Sequence, residues 1–131
     1  RASTNYRYGW QGWYGKDMVA TIDLGEAIRI DSVEVSFLRD QQSWIFHPDS
    51  IVVQFAETAD FFGWSSRWKN SESRDKGEAG MLVQRHLPTK HIIMYTRYIR
   101  ITAKNLGPLP AWHGSKGQCW LFCDEIVVHG E

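Results

Sequence analysis

In "DSVEVSFL" every second residue is apolar: Val33, Val35 and Phe37 share one side, Glu34 and Ser36 the other. A repeat of two is the signature of a strand with one face in a core, and a helix cannot satisfy it. "MVATIDLG", "IRIDSVEVSFL", "SIVVQFA", "MLVQRHL", "RYIRITA" and "LFCDEIVVHG" are six such β-rich runs, separated by Gly, Pro, Asn, Asp and Ser. The pattern predicts an all-β sandwich. No stretch has the repeat of a normal-length helix, although "TADFFGW" suits a helical turn. "RWKNSESRDKGEAG" is polar and carries Gly77 and Gly80, so it reads as a mobile loop.

With 131 residues the chain has room for one sizeable core, and residues 1–131 are read as a single domain. Its 15 basic and 15 acidic residues cancel, so the positive field that draws proteins to nucleic acid is missing. No run approaches the roughly 18 apolar residues of a membrane span. "RASTNYRYGW" has no secretory-signal character, and processing upstream of it is expected.

Cys119 and Cys123 are four apart in "CWLFCDEIVV". In a strand their Cα atoms stand about 13 Å apart, too far for a mutual disulfide. A metal site with His113 or His129 matches no zinc spacing, and buried free thiols are the simpler reading.

Seven tryptophans are several times ordinary usage. Trp120 stands at the edge of a predicted strand; Trp10, Trp13, Trp44, Trp64, Trp68 and Trp112 fall in segments rich in turn formers, which places the indoles between strands. Loops distant in sequence meet at the ends of a sandwich, where a rigid indole face suits the C–H face of a pyranose. Tryptophan also serves as a partly buried plug; Trp13 and Trp120 fit that role, and Trp44 can pack too. Trp112, beside His113 and close to Pro110, is the best platform.

"WYGKDMVATIDLGEAIRIDSVEVSFL", "SWIFHPDSIVVQFAETADFF", "RYIRITAKN" and "CDEIVVHG" resemble the coagulation factor V/VIII type C, or discoidin, domain. The closest likeness is to the family 32 carbohydrate-binding modules. "GWQGWYG", "FLRDQQSWIFHP" and "NLGPLPAWHGSKGQCWLFCDEI" look like the module near the C-terminus of Bacteroidetes family 20 β-hexosaminidases of the chitobiase type. The resemblance implies a jelly roll of about eight antiparallel strands. It implies a glycan ligand, a parent glycoside hydrolase domain in cis, a monomer, and a periplasmic, cell-surface or secreted location. By position it nominates Asp40, Gln41 and Trp44, then Arg67 and Asn70 from the following loop, Trp112 and His113 from the late loop, and Trp10 as a further wall. The histidine usual in the first of these loops has no match in "DQQSW". A structural calcium is implied near the termini, with Ser3, Thr4 and Glu125 as matching ligands. The family's Asp-Gly turn is missing, and calcium takes six to eight oxygens.

"DQQS" also suits an ordinary polar turn with Asp40 capping local amides. Asp124 and Glu125, as strand neighbours, point to opposite faces and cannot flank one glycosidic bond without a bulge; His113 with Ser115 has no glycine-framed nucleophile turn, so the domain is read as noncatalytic. Phospholipid binding, known among discoidin domains, is opposed by zero net charge and the absence of a basic loop cluster. An architectural role, with the loop indoles packed on the catalytic domain, is the main alternative to sugar binding.

Overall fold

A computed structural model describes residues 11–56, 64–70, 74–78, 80–89 and 94–130, with backbone only for 64, 65, 84–89 and 94. Trp10, Ser3, Thr4 and most of the "TADFFGW" turn lie outside them. The described strands are β1 (Gln11–Tyr14), β2 (Met18–Arg39), β3 (Ser50–Ala56), β4 (Trp64–Lys69), β5 (Leu82–Thr89), β6 (Met94–Lys104) and β7 (Trp120–Gly130). All pairings between them are antiparallel, in the order β1-β7-β2-β6-β3-β4, with β5 also on β2. Helical backbone among the described residues is limited to two three-residue 3-10 turns, Gln41–Ser43 and Ala111–His113.

The long strand β2 organises everything else. Two of the runs separated in the sequence reading join into its 22 residues. Its first half, through Ile30, pairs with β6, and its second half pairs with β7 on one side and β5 on the other. The join survives because irregularities absorb the bend. Pairing to β6 skips between Asp23 and Ile28. There the Asp23 carboxylate accepts the Gly25 N–H at 2.8 Å and two bonds from Arg97 at 2.8 and 3.1 Å.

A second shift, between Ile30 and Ser32, changes the phase of burial. Before it the buried side chains are even-numbered (Met18, Ala20, Ile22, Leu24, Ile28, Ile30); after it Val33, Val35 and Phe37 face the core. An extra residue in a strand has this effect, since the side-chain period is two. Both halves therefore turn their apolar faces into one cluster with Ile51, Val53 and Phe55 of β3, Ile99 and Ile101 of β6, and Leu121 and Ile126 of β7. The result is an all-β, sandwich-like architecture. A smaller cluster of Phe46, Leu106 and Cys119, with Leu109 against it, lies under the loops at one end.

β1 and β4 were not among the six runs. "QGWY" shows no alternation, and "WSSRWK" reads as polar because only one side of this terminal strand packs inward, through Trp68. Part of the polar segment assigned to a loop, Arg67–Lys69, is thus strand.

Cys119 and Cys123 are free and buried. Burial pushes their thiols up to about 11 and about 12 respectively. The thiolate is the reactive form, so alkylation by iodoacetamide at pH 8 should be slow in the native protein and fast in urea. Above pH 9 the unfolded chain loses these protons while the folded chain keeps them, so stability should fall as pH rises from about 9 to 12. Urea midpoints across that interval test the direction.

Candidate functional site

Asp40 and Ile45 exchange backbone bonds in both directions, each 3.0 Å, closing a tight loop around the turn Gln41–Ser43. The Ser43 hydroxyl donates to the Asp40 carboxylate at 3.1 Å. Asp40 thus stabilises its own turn through a hydroxyl, and makes no side-chain bond to the turn's amides. Trp44 follows with φ of 68°, in the left-handed region that bulky residues avoid. It is held there because its N–H donates to the Gln41 carbonyl at 3.1 Å and its own carbonyl accepts Trp120 N–H at 2.7 Å.

The late loop comes to the same place. His113 Nε2 donates to the Gln41 carbonyl at 2.5 Å, so Nε2 carries the hydrogen, because a carbonyl can only accept. Its Nδ1 is buried and has no partner among the described residues. Trp44 meets the His113 ring edge-on with centroids 6.4 Å apart. Trp112 leans on Phe46 at 5.8 Å and on His113 at 5.9 Å. The indole N–H of Trp112 donates to the Arg74 carbonyl at 2.8 Å, while 38% of the residue stays exposed.

The polar segment 74–78 completes the wall. The Gln41 amide grips it at two points, donating to the Asp75 carbonyl at 2.9 Å and accepting Gly77 N–H at 3.0 Å. Arg74 donates to the Leu106 carbonyl at 3.0 Å. Gly77 permits the close approach, since a Cβ there would stand 2.6 Å from the Arg39 guanidinium.

Together these loops enclose a cleft of about 360 Å³ lined by Gln41, Gln42, Lys76, Glu78, Trp112 and His113, with Gly77 and Gly80. Gln41 and His113 line the cleft, yet their hydrogen bonds run to backbone and brace the loops, so the exposed polar side chains at its rim are Gln42, Lys76 and Glu78.

Of the sequence nominees, Gln41, Trp112 and His113 meet at this cleft, with Trp44 and Asp40 supporting it from behind. Arg67 does not join them: it stands on β4 and lines a separate cleft. Asn70 follows β4 and donates its N–H to Asp49 at 2.9 Å. Trp10 is not described. Gln42, Lys76, Glu78 and the buried Phe46 were missed. For Lys76 and Glu78 the only sequence signal is two glycines in a polar loop, and what brings that loop to the site is pairing over 34 to 38 residues.

The indoles do not all collect between strands. Trp13 lies in β1, Trp64 and Trp68 in β4, and Trp120 opens β7. Trp13 and Trp68 pack against the main core, and Trp120 stacks between Tyr14 at 5.1 Å and Phe122 at 5.4 Å. Aromatics favour strands, and here that preference outweighs the turn formers around them.

Asp124 and Glu125 do not take the opposite faces expected of strand neighbours. The register of β7 shifts between Cys123 and Glu125, leaving Asp124 as an extra residue. Buried Cys123 and Ile126 bracket the two carboxylates, which both lie off the core face. Alternation therefore does not separate them. Neither lines the cleft. Among the described residues no three His, Cys, Asp or Glu side chains gather as a metal group.

Gly117 supports the site from below. Its φ is 147°, and a Cβ there would stand 2.7 Å from the Trp44 ring and 3.1 Å from the Tyr14 hydroxyl. Gly117→Ala should cost about 1–2 kcal/mol and push Trp44 outward. A urea melt with tryptophan emission checks both.

The fold and cleft define a class, an all-β sandwich-like domain with an indole-walled cleft at its loops. No protein-family model matches the chain, and none of the curated proteins compared matches it significantly.

Proposed function

We propose that this domain is a noncatalytic carbohydrate-binding module of the discoidin-like jelly-roll type, holding a parent β-hexosaminidase-like hydrolase near glycans that bear amino sugars or galacto-configured units. One observation carries the reading: Gln41, Trp112 and His113, from loops about 70 residues apart, line one cleft with an exposed indole in its wall. At about 360 Å³ the cleft is near the small end of ligand sites. The free face of Trp112 stacks on the apolar face of a sugar ring, while Gln42, Lys76 and Glu78 bond to its hydroxyls. Gln41 and His113 hold the loops in register. An open site of this kind binds at about millimolar to tens of micromolar, and repeated modules or ligand ends add avidity.

Titration with N-acetylglucosamine, N-acetylgalactosamine and galactose, followed by tryptophan fluorescence, tests the reading. A saturable change with at least one of them supports it; no response to any of the three at tens of millimolar defeats it. Of the residues that the resemblance matches to a structural calcium, Ser3 and Thr4 lie outside the described residues and Glu125 does not line the cleft, so the sugar contacts proposed here use none of the three.

A second reading has its own observation. Met81, Leu82 and Val83 are 71%, 41% and 48% exposed at the start of β5, next to Gly80 of the cleft. A run of this kind suits packing against a neighbouring domain. Hydrogen exchange at residues 80–83 separates the two: protection in the parent chain relative to the isolated domain favours the architectural role.

A further inference from the structure

The outer face of β4, β3 and β6 carries a second cleft, of about 280 Å³, which shares no lining residue with the Trp112 cleft. Because Ile51 and Val53 of β3 and Ile101 and Ala103 of β6 face the core, alternation sends Ser50, Val52, Thr102 and Lys104 outward. Ser50 pairs with Lys69 on one side and Lys104 on the other; Val52 pairs with Arg67 and Thr102. Neighbouring strands lie about 5 Å apart and alternate residues about 7 Å apart. Three cations therefore surround one spot above Ser50 and Val52.

Among the described residues no side-chain bond or ion pair engages Arg67, Lys69 or Lys104. Like charges placed so close in a sheet repel, and an anion between them removes that penalty. Two carboxylates, Asp17 and Asp49, line the same cleft, and one Asp17 oxygen already accepts Asn105 N–H at 2.9 Å. They limit the charge that fits. A polyanion would bring its next charge against them, whereas hydroxyls would donate to them. Ser50 and Thr102 add hydroxyls of their own.

We infer that this cleft binds one anionic group, a sulfate or carboxylate, carried on a hydroxyl-rich ring: an acidic sugar unit. The inference is independent of the Trp112 cleft.

The test is titration of backbone amide spectra at constant ionic strength with N-acetylglucosamine 6-sulfate, glucuronate, N-acetylglucosamine and sodium sulfate. Saturable shifts at Ser50, Val52, Thr102 and Lys104 are expected with the two acidic sugars and not with the neutral one. Sodium sulfate should bind there about tenfold more weakly than the sulfated sugar, since it lacks the ring. Lys69→Gln and Lys104→Gln should each weaken binding about five- to tenfold with the rest of the spectrum intact, and Trp112→Ala should leave it unchanged. The inference fails if the acidic sugars give no saturable shift, if inorganic sulfate binds as tightly, if both lysine variants keep full affinity, or if Trp112→Ala weakens it.

Discussion

Trp112→Ala is expected to remove sugar binding from the fluorescence titration while leaving the domain folded. The indole is the one large apolar face in the cleft wall, and its ring is already fixed by Phe46, His113 and the bond to the Arg74 carbonyl. Fixing it in advance removes most of the entropic cost of stacking. A central aromatic anchor contributes about 2 kcal/mol or more, which is roughly 30-fold in affinity. From a starting affinity near millimolar, a loss of that size leaves nothing measurable. Stability should change by about 1 kcal/mol, because the residue is more than a third exposed and no main-core contact is lost. Trp112→Phe sharpens the test: it keeps a ring and loses the N–H bond, so binding should fall only several-fold. Wild-type affinity in Trp112→Ala would refute the stacking model outright.

The alternation in β2, β3, β6 and β7 made the all-β class and most of the core readable, since each apolar position answers to one local rule. The phase changes at Asp31 and Asp124 were not readable. An inserted residue looks like any other until its partner strand is known. β4 was hidden for a related reason: with one face in solvent, its composition is that of a loop. At the cleft, Trp112 and His113 stood out because an indole and an imidazole in a loop have no local explanation. Lys76 and Glu78 did not, because charged residues in polar loops are ordinary, and long-range bonds bring them to the site: the Gln41 amide reaches across to Asp75 and Gly77, and the Trp112 indole to the Arg74 carbonyl.

Phe46 links the stability of the loops to their function, and its replacement should show both effects. Only 1% of it is exposed; it packs with Leu106 and Cys119 beneath the loops, and both Trp112 and His113 lean on its ring, at 5.8 and 6.2 Å. Phe46→Ala should cost about 3–4 kcal/mol in urea unfolding, since the lost ring leaves a cavity that a braced set of loops cannot close. Much of a domain's total stability can be lost at that cost, so binding is better read in Phe46→Leu, which should cost about 1–1.5 kcal/mol. Phe37→Leu provides the comparison. Phe37 is fully buried in the main core, and the same exchange there should cost a similar amount. The two variants should differ in affinity. Phe46→Leu lets the indole tilt and should weaken sugar binding several-fold, whereas Phe37→Leu should bind as the wild type does. Equal affinities in the two variants would mean that the ring under Trp112 holds up the fold without positioning the platform.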